Sequence, residues 1–114
     1  MIEPLNNMDT DHRQALISSL AARGLEAYEE CSGGNVWHIS LYLLREGADW
    51  LAVSTASDET ACDVGLMGEY NGRTAGEARW EPVVSVAEAA DAFERRWYGR
   101  EDWIASLKAG SLDL

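Results

Sequence analysis

His38 and Ser40 lie two residues apart, Cys31 and Cys62 stand on either side of them, and carboxylates pair at Glu29-Glu30, Asp58-Glu59 and Glu101-Asp102. These are the side chains with the chemistry for catalysis or metal binding. A serine nucleophile needs a base within hydrogen-bond reach and a third group to orient that base. On one strand, however, His38 and Ser40 are separated by about 7 Å of rise. Asp63 completes such a set only if its strand neighbours theirs. Zinc needs four converging Cys, His or carboxylate ligands, whereas Cys31, His38 and Cys62 are scattered along the chain. Asp9, Asp11 and His12 cluster tightly, but Asp9 and Asp11 are explained by capping and the helix dipole. Paired carboxylates do acid–base work only in a cleft that splits their pKa values. In loops and at strand ends they serve solubility. The chain contains no G-x-x-x-x-G-K-[ST], H-E-x-x-H, C-x-x-C or G-x-S-x-G pattern, so phosphate-cradle, zinc-protease, dithiol and esterase chemistry have no motif to rest on. The expectation is no catalytic residue, no metal and no cofactor. A small enzyme without a recognisable motif is the least favoured reading.

The chain of 114 residues carries nine Lys plus Arg against twenty Asp plus Glu, a net charge of −11. That field repels nucleic acid and anionic lipid, so neither is an expected partner. The length suits one core, and a 46% hydrophobic share is too rich for a disordered chain. Its longest apolar run, Leu41-Tyr42-Leu43-Leu44, is far short of a bilayer span. The first residues lack the basic start and apolar stretch of a signal peptide. Two cysteines make no disulfide framework, and reduced thiols in a cytoplasm are expected. Eight Arg to one Lys is the bias of a GC-rich coding sequence and leans towards a bacterial or bacteriophage source.

Hydrophobic periodicity sets the elements that must hold these side chains. Residues 1–8 are expected as a flexible tail, 9–110 as one domain and 111–114 as a short C-terminal tail. Asp9 or Thr10 caps a helix over 10–23, with Leu16, Ile17, Leu20 and Ala21 on one side and Arg13, Gln14, Ser18 and Arg23 on the other. Gly24 and Leu25 close it. Strands follow over 25–31, 36–44, 49–55 and 61–68. They are separated by Ser32-Gly33-Gly34-Asn35, by Arg45-Glu46-Gly47-Ala48 and by a loop through Ser57-Asp58-Glu59. Asn71-Gly72 is a further turn, after which 78–81 could add a short edge strand. Ser85-x-x-Glu88 is a capping box, with Val84 positioned as a staple against Ala89. That helix ends near Gly99, and a shorter one stops at Gly110.

The order α-β-β-β-β-α-α implies an α+β fold. It has a four-stranded antiparallel meander, five-stranded if 78–81 joins, with N- and C-terminal helices packed on one face. The expected core is Leu16, Leu20, Trp37, Ile39, Leu41, Leu51, Val53, Val64, Leu66, Ala89, Phe93 and Trp97. Alternation then turns Val36, His38, Ser40, Tyr42, Leu44, Trp50, Asp63 and Met67 to the other face. A one-sided sheet normally shows polar residues to water. Tyr28, His38, Tyr42, Trp50 and Met67, rimmed by Glu26, Glu30 and Asp63, instead have the composition of an interface. The alternative is that Tyr42 and Trp50 are a cross-strand pair that only stabilises the sheet.

The expected partner-binding residues are therefore Tyr28, His38, Tyr42 and Trp50, with Glu30 and Asp63 as surrounding charge. The expected function is non-catalytic protein binding to a basic partner, such as a nucleic-acid-handling protein, in the manner of an immunity or anti-defence inhibitor. The alternative is a structural or regulatory homodimer through the same face.

Overall fold

The computed structural model describes residues 9–31, 37–57 and 62–112, the side chains of 57 and 75–78 excepted. The expected tail at 1–8, the turn at 32–35, Val36 and the pair Asp58-Glu59 lie outside the described residues. The elements are α1 (Thr10–Ala22), β1 (Tyr28–Cys31), β2 (Trp37–Glu46), β3 (Asp49–Ser57), β4 (Cys62–Tyr70), β5 (Arg73–Val83), α2 (Val86–Tyr98) and α3 (Arg100–Ala109). The five strands form one antiparallel meander in sequence order. The α+β class and the helices at both ends of the chain agree with the sequence reading.

Local chemistry explains most boundaries. Asp9 accepts from the backbone N–H of Asp11 at 2.8 Å and His12 at 3.3 Å, capping α1. Its far end closes on Gly24 at φ 78°, with Gly24 N–H bonded to Ala21 O and Leu25 N–H to Leu20 O. Leu25 then buries itself in the core, the hydrophobic contact that completes such a cap. Asn71 and Gly72 both take positive φ, 54° and 76°, the geometry of a two-residue hairpin that suits strand twist. Ser85 accepts from Glu88 N–H at 3.1 Å, while the Glu88 carboxylate reaches one residue further than a capping box requires and accepts from Val84 N–H at 2.8 Å. Val84 is 62% exposed, so the expected staple is not made; Val83 turns inward instead.

The core lies between the helices and one sheet face. Leu16, Leu20, Ala89, Ala90, Phe93 and Leu107 meet Ile39, Leu41, Leu51, Val53, Cys62, Val64 and Leu66. Leu112 joins them, so packing continues past Gly110 into the segment expected as a tail. Trp37 and Trp97 are only half-buried. Trp97 packs against the core, whereas Trp37 lies at the margin with the Arg13 guanidinium 4.9 Å from its ring centroid. Arg13, expected on the solvated side of the helix, is 6% exposed and bridges Glu29 and Thr10.

Two irregularities change the expected faces. Tyr42 pairs with Ala52 but Leu44 pairs with Leu51, so Leu43 is an extra residue and the alternation slips. Leu44, expected outward, therefore packs against the core, and Arg45 takes the open side opposite Trp50. The fifth strand spans Arg73–Val83 rather than 78–81. Its pairing jumps from Val64–Glu81 to Leu66–Ala78, which sets Arg79 and Trp80 together against Gly65. Arg79 accepts φ 58° there.

Candidate functional site

Register arranges the side of the sheet away from the helices in rows. One row carries Glu30 and His38, and Ala56, Asp63 and Pro82 pair across its far end. The next runs Tyr28, Ser40, Ser54, Gly65. The third is Tyr42, Ala52, Met67, and the fourth Arg45, Trp50, Glu69, Thr74. The sheet face away from the core thus collects all six expected partner-binding residues. Alternation from Val83, in the core, and from Glu81, bonded to α2, puts Trp80 on this face too.

Tyr28, Tyr42 and Trp50 form a diagonal ladder. Ring centroids are 6.5 Å apart for Tyr28 and Tyr42, and 6.2 Å for Tyr42 and Trp50, the latter edge-on. Both spacings fall in the attractive range for aromatic pairs. Tyr28 is 45% exposed, and Tyr42, Trp50 and Met67 are half-buried. Between the large residues the floor is small: Ser40 and Ser54 are each 2% exposed and share a hydrogen bond of 3.2 Å between their hydroxyls. Ser40, expected as a polar surface residue, is thus a buried one. Ala52 is buried as well but stands outside the main core cluster. Among the described residues, this face has a shallow packing between its own side chains.

Charge is sorted between the two faces. Glu26, Glu30, Asp63 and Glu69 lie on or border the open face, and among the described residues Arg45 is its one arginine or lysine. The helix side takes the rest. Arg13 pairs with Glu29, Arg23 with Asp91 at 2.7 Å, and Arg95 and Arg96 share one Glu81 oxygen at 2.6 Å. Arg79 and Arg100 sit over Trp103 and Trp97. The Tyr42 hydroxyl donates to Glu30 at 2.6 Å, and the other Glu30 oxygen is 3.7 Å from His38 Nε2. Burial, then the Glu30 carboxylate, pushes the Tyr42 phenol up to about 12. A hydrogen bond to Glu26 raises the Tyr28 phenol.

The catalytic and metal sets do not assemble. Ser40 is engaged by Ser54, and β3 separates the strands of His38 and Asp63. Cys31 is exposed at the end of β1, His38 is on the open face, and Cys62 is buried in the helix-side core. Burial, then Asp63, pushes the Cys62 thiol up to about 12, which keeps it protonated and unreactive. Among the described residues no three His, Cys, Asp or Glu side chains converge as metal ligands. Among the described residues no helix is long and apolar enough to cross a membrane.

Sequence reasoning missed Arg45, Trp80 and Arg96. The first two reach the open face through bulges, which alternation cannot reveal. Arg96 holds the second bulge from the helix side: Nη2 donates to Arg79 O at 2.6 Å and to Val64 O at 3.4 Å, and Nη1 to Glu81 at 2.6 Å. Its signal was available, since Arg96 falls on the same helical stripe as Ala89, Ala92 and Phe93. No protein-family model matches the chain, and comparison with curated proteins and with solved structures finds no match.

Proposed function

We propose that this domain is a non-catalytic protein-binding module that docks the open face of its sheet on a basic protein surface, as an inhibitor of a nucleic-acid-handling protein would. One observation carries the reading: a half-exposed Tyr28–Tyr42–Trp50 ladder set among carboxylates, on a face whose only described arginine or lysine is Arg45. Aromatic anchors supply contact area at low entropy cost, and the surrounding charge steers a basic partner into register. A twofold dimer through this face would set Glu30, Asp63 and Glu69 of two copies against each other, and like charges in contact oppose it.

The test uses partners captured at low salt and identified. Trp50→Ala should weaken their binding at least tenfold, as loss of an aromatic anchor does, and Glu30→Gln with Asp63→Asn should flatten the salt dependence. Tyr98→Ser on the helix side should change neither. Equal binding by all variants overturns the proposal. Sedimentation of a dimer that Trp50→Ala dissociates would replace it with self-association.

A further inference from the structure

The open face ends at a place where the sheet is incomplete. β1 pairs with β2 only from Trp37 to Ser40, its last partner being Tyr28. Before Tyr28 the chain leaves the sheet, because Leu25 N–H is already committed to Leu20 O at the end of α1. β2 nevertheless runs on to Glu46. Among the described residues no strand pairs with this edge of β2 past Ser40, and beside it lies a hollow of 340 Å³ walled by Glu26, Tyr28, Leu41, Tyr42, Arg45 and Trp97. Tyr28 and Tyr42 approach it from the open face, and Trp97 from α2.

We infer that this hollow receives an arginine side chain of the basic partner, with Arg45, one of its walls, stacked on Tyr42 when no partner is bound. This deepens the protein-binding proposal and rests on it. Ring faces attract cations, and the hollow presents two phenols and an indole. The Glu26 carboxylate lines it, and Glu30 stands behind Tyr42 at 2.6 Å. The main chain offers a further acceptor. Ile39 N–H points at Thr55 Oγ1 on β3, 2.9 Å away, so strand alternation turns the backbone of Tyr42 the opposite way, onto the edge that β1 leaves uncovered. A flat π surface, carboxylates and a carbonyl together match the planar, five-donor guanidinium better than a compact ammonium.

The molecule makes the ring part of this contact internally. The Arg45 guanidinium lies 4.5 Å from the Tyr42 ring centroid, and its charge is felt by both Tyr28 and Tyr42, lowering each phenol against the larger effects that raise them. Among the described residues Arg45 has this ring contact and no carboxylate partner. Arg100, 4.3 Å from the Trp97 ring centroid, does not line the hollow. Arg45 is exposed and held by one ring, so a partner arginine that also gains Glu26 can displace it.

The experiment titrates N-acetyl-arginine methylamide into the isotope-labelled full chain, with the lysine and citrulline counterparts as controls, and follows side-chain NMR signals. Saturable shifts at Tyr28, Tyr42 and the Trp97 indole are expected with arginine, weaker ones with lysine and none with citrulline. Arg45→Ala should tighten arginine binding about fivefold by vacating the ring, and Glu26→Gln should weaken it. Shifts spread without saturation over the acidic surface, equal response to lysine, or unchanged or weaker binding by Arg45→Ala overturn the inference. If Trp50→Ala still weakens capture of the partner while arginine leaves the hollow untouched, this inference fails and the docking proposal stands.

Discussion

The two faces of the sheet bury their residues by different means. On the helix side, Leu16, Leu20, Phe93 and Leu107 arrive from three helices and seal Leu51, Val53, Val64 and Leu66 completely. Among the described residues no helix covers the open side, and Ser40, Ala52 and Ser54 lie between larger side chains of the sheet. A core contributed by distant segments is what makes the chain fold. A layer contributed by the sheet itself is expected to tolerate alteration without unfolding, the freedom that the proposed binding face requires. Phe93→Ala should therefore cost about 3–5 kcal/mol, while Trp50→Ala, losing a half-buried ring and one edge contact, should cost about 2 kcal/mol. Equilibrium denaturation checks both. Comparable losses would make the open face a second core and remove its availability to a partner.

Arg96 probes how the two faces communicate. It is 8% exposed, on the helix side, yet its bonds to Arg79 O and Val64 O shape the bulge that sends Trp80 across. Arg96→Ala should cost about 2–3 kcal/mol, since charged hydrogen bonds are lost and carbonyls are left unpaired. Trp80 fluorescence, read in a variant whose other tryptophans are Phe, should change with it. Burial alone would raise Glu81, but its bonds to Arg96 and Arg95 outweigh burial and hold the carboxyl below its usual 4.5. The stability so contributed is full above that value and is lost as pH falls through the lower folded one. Glu81→Gln should remove this part of the acid sensitivity. An unchanged acid profile would mean the pair contributes nothing.

Gly68 tests the sheet where neither face dominates. A Cβ there would stand 2.6 Å from the Trp50 carbonyl and 3.1 Å from Leu51 Cδ1. Backbone cannot yield as a flexible side chain can, so Gly68→Ala should cost about 1–3 kcal/mol. A neutral result in thermal melts would show that β3 and β4 separate more easily than their register implies.

The same contrast governs what the sequence makes legible. The helix-covered face follows from period alone: Val64 and Leu66 alternate, Leu16 and Leu20 recur at helical spacing, and Asp9, Gly24, Ser85 and Gly110 punctuate them. The open face is legible only as far as alternation runs unbroken, through Tyr28, His38, Tyr42 and Trp50. Past Leu43 and at Arg79-Trp80, a single inserted residue reverses every later assignment, and nothing in residue type marks the insertion. Leu44 shows the consequence, as does Arg45, which the turn-like run Arg45-Glu46-Gly47-Ala48 assigns to a reversal. Arg13 and Arg96 were hidden differently. Charge suggests solvent, but each lies on a buried stripe where carboxylates and carbonyls meet it.

The smallest expected effect isolates the open face. Tyr42 is held protonated up to about 12, against 10.0 for an ordinary phenol, first by burial and then by Glu30. Because the folded state favours the neutral phenol, this contribution is complete below 10.0 and disappears as pH rises through the folded value. Tyr42→Phe should keep the ring, its edge contact with Trp50 and the stacking of Arg45. It should lose only the bond to Glu30, about 1 kcal/mol for a partly exposed pair. Phenolate absorbance during alkaline titration should lose its latest step in the variant, and the stability difference between the two proteins should vanish at the alkaline end. If the late step survives, Tyr42 is not the shielded phenol. The open face would then be a loose set of rings in water, without the fixed geometry that a docking surface needs.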